Sequence, residues 1–415
     1  MEDPDPHGAT LDRSISLRML VFYGLGTTVG AGIYALTGKI AGIAGVWAPL
    51  SFLSAAGLAA LTALSFGELA SRFPRSAGEA VYLRAGFDAP RAAQLGGLLV
   101  LLAGITSAAT LSRACVGYLR DLAPLLPYLP SVTVLVIVTG AAAGWRVGRS
   151  VTLAAWLTVL EVFGILLVAG VAFAHLGDVG PVAGIADGIA PPPLWGVVSG
   201  AVLGFYAFLG FEDMVNVAEE VREPRRIVPK AIAITLIATA LLYALTAFSA
   251  VLTVESSELA ASDAPLTLVF ERSGASGAGL ISAIAAAGML NGILIQLIMG
   301  SRVMYGIAGQ GIVPKALGKV NRITRTPLRA TALLTLIVLL LALFFPLERL
   351  ARTTSWLTLA LFGLVDWALI RVRAKPDAPE PLVRAPGWVP YAGAWLCAAL
   401  LARELWVWIA GLASG

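Results

Sequence analysis

Gly24-Leu-Gly-Thr-Thr-Val-Gly-Ala-Gly-Ile-Tyr34 places four glycines, Gly24, Gly26, Gly30 and Gly32, inside an apolar run that begins at Leu17. Glycine in a helix interior costs about 1 kcal/mol relative to alanine, and it permits the backbone angles at which a helix stops and restarts. In a bilayer such a break frees peptide groups that lipid cannot bond, so protein, water or a bound solute has to take them. Read this way, the half-helix restarting near Gly30 turns its bare amides and positive dipole end toward the middle of the molecule, where a carboxylate is the natural partner. The carbonyls before the break, around Leu25 and Gly26, face an ammonium. The competing reading of the same glycines is close packing of two helices through small residues.

The bilayer itself follows from composition. The chain has 415 residues, of which 58% are hydrophobic and only 13% charged, against about 25% charged in a soluble domain. The stretches 232–254 and 331–345 hold no charge at all. A helix needs about 20 apolar residues to cross a hydrocarbon core about 30 Å thick. The two-residue alternation of an outer-membrane barrel is weak here. Only helices remain, which predicts an all-α polytopic membrane protein. The net charge of +4 is spread over short loops, so no nucleic-acid partner is expected. Cys115 and Cys397 both fall in apolar spans without metal-ligand neighbours and read as buried thiols. The acidic, polar segment 1–16 has no signal-peptide core, so the first span is expected to act as its own insertion signal.

Eleven spans are read, at 17–38, 43–71, 93–118, 132–145, 151–175, 194–217, 231–254, 277–307, 330–345, 356–370 and 388–410. With the N-terminus in the cytoplasm, the inner loops collect most of the 29 Lys and Arg. They hold, among others, Arg13 and Arg18, Arg72 to Arg91, Arg146 and Arg149, Arg222 to Lys230, Arg322 and Arg325, and Arg371 to Arg384. The outer segments hold only Lys39, Arg120, Arg272, Arg349 and Arg352. This asymmetry orients the chain in the cytoplasmic membrane, multi-pass, with the N-terminus inside.

The sixth span is interrupted as the first is. Gly204-Phe-Tyr-Ala-Phe-Leu-Gly-Phe-Glu-Asp213 sets an aromatic cluster, a glycine and two acids into an apolar helix. The two interruptions lie five spans apart, and an odd offset inverts the second set relative to the first. Broken helices at matching places in two inverted halves point to a transporter site between them. Phe205, Tyr206 and Phe208 are candidate pocket walls, and Glu212 is an intramembrane carboxylate and hence a functional candidate.

Several motifs now occur together. Residues 26–34, Phe208-Leu-Gly-Phe-Glu212 with the following 218–229 loop, Arg72-Phe-Pro-Arg-Ser-Ala-Gly-Glu-Ala-Val-Tyr82, and Ser301-Arg-Val-Met-Tyr305 with Gly311-Ile-Val-Pro314 resemble, in order, the signatures of the amino acid–polyamine–organocation superfamily. The resemblance implies a LeuT-type 5+5 inverted repeat with discontinuous helices one and six. It implies an amino acid held by Gly30, Ala31 and Gly32 at its carboxylate, with its amine near Thr27 and the carbonyls of helix six and with Thr28 among the substrate-binding residues. It places Tyr206 at an aromatic gate, Glu212 at a proton-responsive acid, and Gln296 at a pocket-facing position of helix eight. The implied domains are a cytoplasmic tail 1–16, a ten-helix transporter core 17–370 with repeats 17–175 and 194–370, a linker 371–387, and an additional C-terminal transmembrane helix 388–415.

Glu161 departs from the pattern, since some family members carry lysine there. A carboxyl about ten residues into an apolar span costs less neutral than charged, which makes it a candidate proton carrier; a structural hydrogen bond is the other reading. The stretch 283–300 holds no Ser or Thr, which favours protons or exchange over sodium. Arg403 and Glu404 sit near the middle of the last span, where mutual pairing or snorkelling is expected. No cofactor or metal is expected. The expected partners are a small-molecule substrate (an amino acid or amine), protons and the lipid bilayer, with the oligomeric state open. The expected function is secondary active amino acid transport by alternating access, proton-coupled, with an amino acid/amine exchanger as the alternative. A channel would need a continuous polar pore face, and an intramembrane enzyme would need clustered catalytic residues that two histidines do not supply. No phosphate-binding Gly-x-x-x-x-Gly-Lys-Ser/Thr loop is present.

Overall fold

The architecture comes from a computed structural model that describes residue 13 and residues 15–75, 78–144, 150–175, 191–309, 313–321, 324 and 326–413. Most of the expected N-terminal tail, His7, the loop residues Arg146, Arg149, Arg322 and Arg325, and Ser76, Ala77, Gly311 and Ile312 of the quoted motifs lie outside the described residues.

Apolar runs in lipid fold as helices because only a helix satisfies its own backbone within one segment. The order is α1 (Leu17–Thr28), α2 (Ala31–Ala44), α3 (Ala48–Arg72), α4 (Gly78–Phe87), α5 (Pro90–Leu122), α6 (Tyr128–Gly144), α7 (Ser150–Ala174) and α8 (Leu194–Phe205). Then follow α9 (Pro224–Thr253), α10 (Ser256–Ala261), α11 (Pro265–Arg272), α12 (Gly279–Gly309), α13 (Leu328–Phe344), α14 (Leu347–Arg373) and α15 (Val389–Ala413). Proline opens α5, α9 and α11, where its fixed φ suits the first turn and its missing N–H is no loss. The described parts of the apolar spans read from the sequence lie largely on helical backbone, with breaks in the first and sixth. Among the described residues, seven stretches are long and apolar enough to cross a bilayer: Gly32–Arg72, Pro90–Leu122, Leu157–Ala174, Leu194–Glu220, Pro224–Thr253, Gly279–Ala308 and Leu347–Arg373. Two shorter apolar helices, Tyr128–Gly144 and Leu328–Phe344, accompany them. The protein is a polytopic membrane protein, helical throughout apart from one isolated bridge among the described residues.

The outer surface is the reverse of a soluble protein's. Phe22, Val134, Ile137, Leu241, Phe344, Trp395 and Trp406 point outward and are exposed, which is stable only where the surrounding solvent is hydrocarbon. Inside, helices meet through hydroxyls that bond back to their own turns, as Thr110 does to the Thr106 carbonyl (2.8 Å) and Ser112 to that of Ala108 (2.7 Å), leaving few polar groups unpaired. The central packing pairs are α5 with α12, α3 with α9, and α5 with α14. At the end where α1 begins, Ile15 bridges to Val221 in parallel, its amide donating to the Glu220 carbonyl at 3.0 Å and its carbonyl accepting from Arg222 at 3.0 Å. That bridge joins the entry of the first span to the exit of the sixth.

At the same end an ion cluster ties three segments together. Glu68 on α3 is wholly buried. Arg72 donates to its Oε1 at 2.8 and 3.0 Å, Arg373 of α14 donates to its Oε2 at 2.5 Å, and the Ala385 amide donates to Oε2 at 2.9 Å. Ser71 accepts from the Leu382 amide (2.7 Å), and Arg72 reaches the Pro379 carbonyl (2.6 Å). The 371–387 segment, expected as a linker, is therefore laid against the end of α3. The helix α15 that follows packs on α14 and α3. Its Arg403 and Glu404 do pair (2.5 Å), and Glu404 also accepts from Arg352 of α14 (2.9 Å), while Arg403 donates to Ser199 of α8 (2.8 Å). Cys115 and Cys397 are buried and free.

Removing one partner of a buried, hydrogen-bonded ion cluster leaves the other charges uncompensated, at a cost of about 3–5 kcal/mol. Glu68→Ala is expected to lower the thermal midpoint in detergent accordingly. Arg75→Ala, at an exposed position, is expected to stay within about 0.5 kcal/mol of wild type.

Candidate functional site

The two interruptions anticipated from glycine content face one another. The first helix stops at Thr28 and resumes at Ala31. Gly30, at φ −45° and ψ −133°, caps the new helix, and no atom lies within 4 Å of where its Cβ would stand. The amides opening α2 have no carbonyl one turn behind them within that helix. Gly32 is needed for closeness, since a Cβ there would run into Ala207.

The sixth span passes from α8 into a 3₁₀ turn at Tyr206–Phe208, an extended Leu209, and a 3₁₀ helix at Phe211–Glu220. A ten-residue 3₁₀ run is long for that geometry and marks a departure from a regular span. The turn depends on Gly210 at φ +121°, an angle side chains rarely adopt; a Cβ there would also meet the Thr27 carbonyl.

The freed groups satisfy one another across the breaks. Thr27 Oγ1 lies 2.8 Å from the Gly210 carbonyl, with the Gly24 and Tyr23 carbonyls at 3.1 and 3.2 Å sharing its single proton. Tyr243 of α9 sets its hydroxyl between the carbonyls of Thr28 (2.7 Å) and Ala207 (2.9 Å), one from each broken segment. The Gly210 amide donates to Glu212 at 2.8 Å. Thr28 Oγ1 is buried and has no hydrogen-bond partner among the described residues.

Between the breaks lies a cavity of about 90 Å³, several times the roughly 10–15 Å³ that one buried water needs. Thr27, Thr28, Gly30, Gly32, Tyr206, Glu212 and Gln296 line it, so most of the residues singled out from the sequence converge. Ala31 supplies the first residue of α2. Phe205 and Phe208 are not on the lining. Their rings pack edgewise on Phe362 (5.7 Å) and Tyr243 (5.1 Å) behind it, which braces the bend. Glu161 stands one layer back, its carboxyl filling the notch that Gly288 leaves in α12, and Gly288 itself faces the cavity. Tyr34 donates to the Glu161 carbonyl at 2.8 Å. Among the described residues no hydrogen bond or ion pair holds the Glu161 carboxyl.

Several lining residues escaped the sequence reading: Ser107, whose hydroxyl meets that of Tyr206 at 3.1 Å, Thr354, Thr358, Asp213 as a wall residue, and Glu79. Glu79 lies on α4, a helix between two membrane-crossing stretches. Flanked by Arg75 and Arg84 it reads as a loop charge, and no local signal separates it from one. It is nonetheless buried. That burial, reinforced by the nearby Asp213 carboxylate, pushes the Glu79 carboxyl up to about 7. The lining thus carries three carboxyls, from Glu79, Glu212 and Asp213, and no Lys, Arg or His. No group of three His, Cys, Asp or Glu arranged for a metal occurs among the described residues. Helix-end amides toward a carboxylate and carboxyls toward an ammonium are the two halves of a zwitterion receptor.

Comparison with known proteins points the same way. A family model described as amino acid permease matches residues 15–412. The human cationic amino acid transporter 4 is 30% identical over 403 residues, covering 91% of this chain and 63% of its own length. The branched-chain amino acid permease BcaP of Bacillus subtilis (strain 168) is 29% identical over 428 residues, covering 96% and 90%. The mitochondrial cationic amino acid transporter 3 of Arabidopsis thaliana is 29% identical, covering 89% and 64%. The chain therefore spans less than two thirds of the human and Arabidopsis relatives.

Two expectations arise here. Gly210→Ala adds a methyl at a left-handed angle, a strain of about 1–3 kcal/mol. It should weaken solute binding by roughly tenfold or more, read by equilibrium binding, while Gly170→Ala, in open space, leaves binding unchanged. The folded protein keeps the Glu79 proton up to about pH 7, whereas an unfolded chain releases it near 4.5. Between those values the unfolded state binds fewer protons, so stability falls as pH rises. Thermal melts from pH 4.5 to 8 should show this fall, of up to about 3 kcal/mol, and Glu79→Gln should remove it.

Proposed function

This chain belongs to the amino acid permease family of the amino acid–polyamine–organocation superfamily, and from that premise we propose that it is a secondary active transporter carrying amino acids across the cytoplasmic membrane by alternating access. The carrying observation is the pair of facing breaks, where the bare amide end of α2 and the bend at Gly210 enclose a polar cavity. A carboxylate docks on the amides of Gly30, Ala31 and Gly32, and the ammonium lies toward Thr27 and the carbonyls freed around the bend. Tyr206, held by Ser107, and Gln296 shape the side-chain end.

The proposed frame is a LeuT-type 5+5 inverted repeat of residues 17–175 and 194–370, followed by an eleventh span, with the N-terminus in the cytoplasm. The matching breaks five spans apart and the inner excess of Lys and Arg support it. One helix bundle rocks against the other and opens the central cavity to each side in turn. The acid-lined, base-free wall disfavours anionic amino acids and suits zwitterions and cations. The relatives' own names divide between cationic and branched-chain substrates.

Protons are the proposed coupling ion. Glu161, beside the Gly288 notch, and Glu212, bonded to the Gly210 amide, are the candidate carriers, because each can pass between neutral and charged forms as the cavity changes sides. Exchange of one amino acid for another is the second reading, favoured by the lack of hydroxyls over 283–300 if the carboxyls stay structural.

Purified protein in liposomes is expected to take up a tritiated L-leucine or L-arginine probe, faster under an inward proton gradient. Glu161→Gln is expected to abolish the gradient's effect and leave counterflow intact. Uptake by Glu161→Gln that still follows the gradient refutes the role of Glu161, and an absence of flux for any amino acid refutes the transport reading.

A further inference from the structure

A second cavity of about 300 Å³ lies at the other end of α2 and α5 from the Ile15–Val221 bridge, lined by Lys39, Arg113, Tyr128, Asp263 and Glu348 among others. It shares both helices with the central cavity. Gly32 and Lys39 are seven residues apart on α2, and Ser107 and Arg113 six apart on α5, rises of about 10 and 9 Å. Along both helices the outer chamber thus sits about two helical turns from the central one.

Its lining cations, Lys39 and Arg113, are held by neutral groups. The Arg113 guanidinium lies 5.0 Å from the Tyr128 ring centre and that of Arg120 5.6 Å from the same ring. Both arginines have a buried Nε with no acceptor among the described residues. Arg113 Nη1 is anchored on the Ala342 carbonyl at 2.7 Å, and Lys39 Nζ on that of Ala260 at 2.6 Å. Carbonyls fix direction and leave the charge whole. Arg120 reaches Asp263 only at 3.7 Å. Among the described residues neither Lys39 nor Arg113 forms an ion pair. Lys39 and Arg113, held by carbonyls on the lining of one cavity, suit an anion that accepts from both. Asp263 and Glu348 on the same wall leave room for a cation beside it.

We propose, resting on the transport reading above, that this chamber is a second solute site that takes the carboxylate of an incoming amino acid between Lys39 and Arg113 before it descends to the central cavity. An inorganic anion such as chloride shares the carboxylate's chemistry, and the experiment separates the two.

Uptake into whole cells and into inside-out vesicles reports the two faces separately, with tritiated L-leucine or L-arginine as the probe, whichever the wild type carries. Arg113→Gln is expected to raise KM from the outer face about tenfold, the loss of one charged hydrogen bond, with kcat unchanged and KM from the inner face within about twofold. Arg113→Lys should recover part of the loss. Lys39→Gln provides the same test if Arg113→Gln does not fold, and is expected to shift outer KM in the same sense. Equal shifts from both faces, or none, overturn the outer site while leaving transport standing. If the Arg113→Gln effect disappears when chloride is replaced by methanesulfonate, the ligand is an inorganic anion and the proposal is overturned. A wild type that carries no amino acid in either direction overturns both readings.

Discussion

Lipid supplies no hydrogen bonds, and every unusual feature of this molecule is arranged around that fact. A helix that stops halfway across the bilayer exposes amides and carbonyls whose desolvation costs several kcal/mol each unless something accepts them. Here two such breaks stand opposite one another and share their unpaired groups. Thr27 bonds the Gly210 carbonyl, and Tyr243 lies between the carbonyls of Thr28 and Ala207. The first amides of α2 have no partner within their own helix, and Gly30 and Gly32 there line the cavity. The site is the part of the backbone's hydrogen-bonding demand that the fold leaves open.

The side chains behind the breaks serve the same end. Phe66, Phe205, Phe211 and Phe362 form an edgewise aromatic cluster with ring centres 5.2 to 5.8 Å apart. Their packing holds an irregular segment in one shape where hydrogen bonds alone would leave it loose. Glycines act by subtraction: Gly32 admits Ala207, Gly288 admits the Glu161 carboxyl, and Gly104 admits Gln296. Each missing Cβ lets a functional group approach the cavity or lets two backbones meet.

Charge is partitioned between the two ends. Glu68 pairs with both Arg72 and Arg373 in a closed cluster that fastens the C-terminal segment beneath α3. Glu79, Glu212 and Asp213 form an open one on the cavity wall. Lys39 and Arg113 share the cavity at the far end with Asp263 and Glu348, and among the described residues neither of the two cations forms an ion pair. Charges paired with one another hold elements together, whereas charges without an ion-pair partner invite a mobile ion or solute. The distinction is visible only when every partner is placed.

Much was legible in the chain alone. Long charge-free runs require helices in lipid, and glycine clusters mark where helices cannot continue; both are local properties of one segment and need no neighbour to be known. That reading located Thr27, Gly30, Gly32, Tyr206, Glu212 and Gln296 at one cavity. It set Phe205 and Phe208 on the lining, though their rings face Phe362 and Tyr243, because aromatic spacing on one helix does not reveal which side a neighbouring helix occupies. It passed over Glu79, a charge between arginines in sequence and a buried carboxyl in space. Which polar groups remain without partners is a property of the whole packing, so the central cavity's acidity and the outer cations emerged only from tertiary structure.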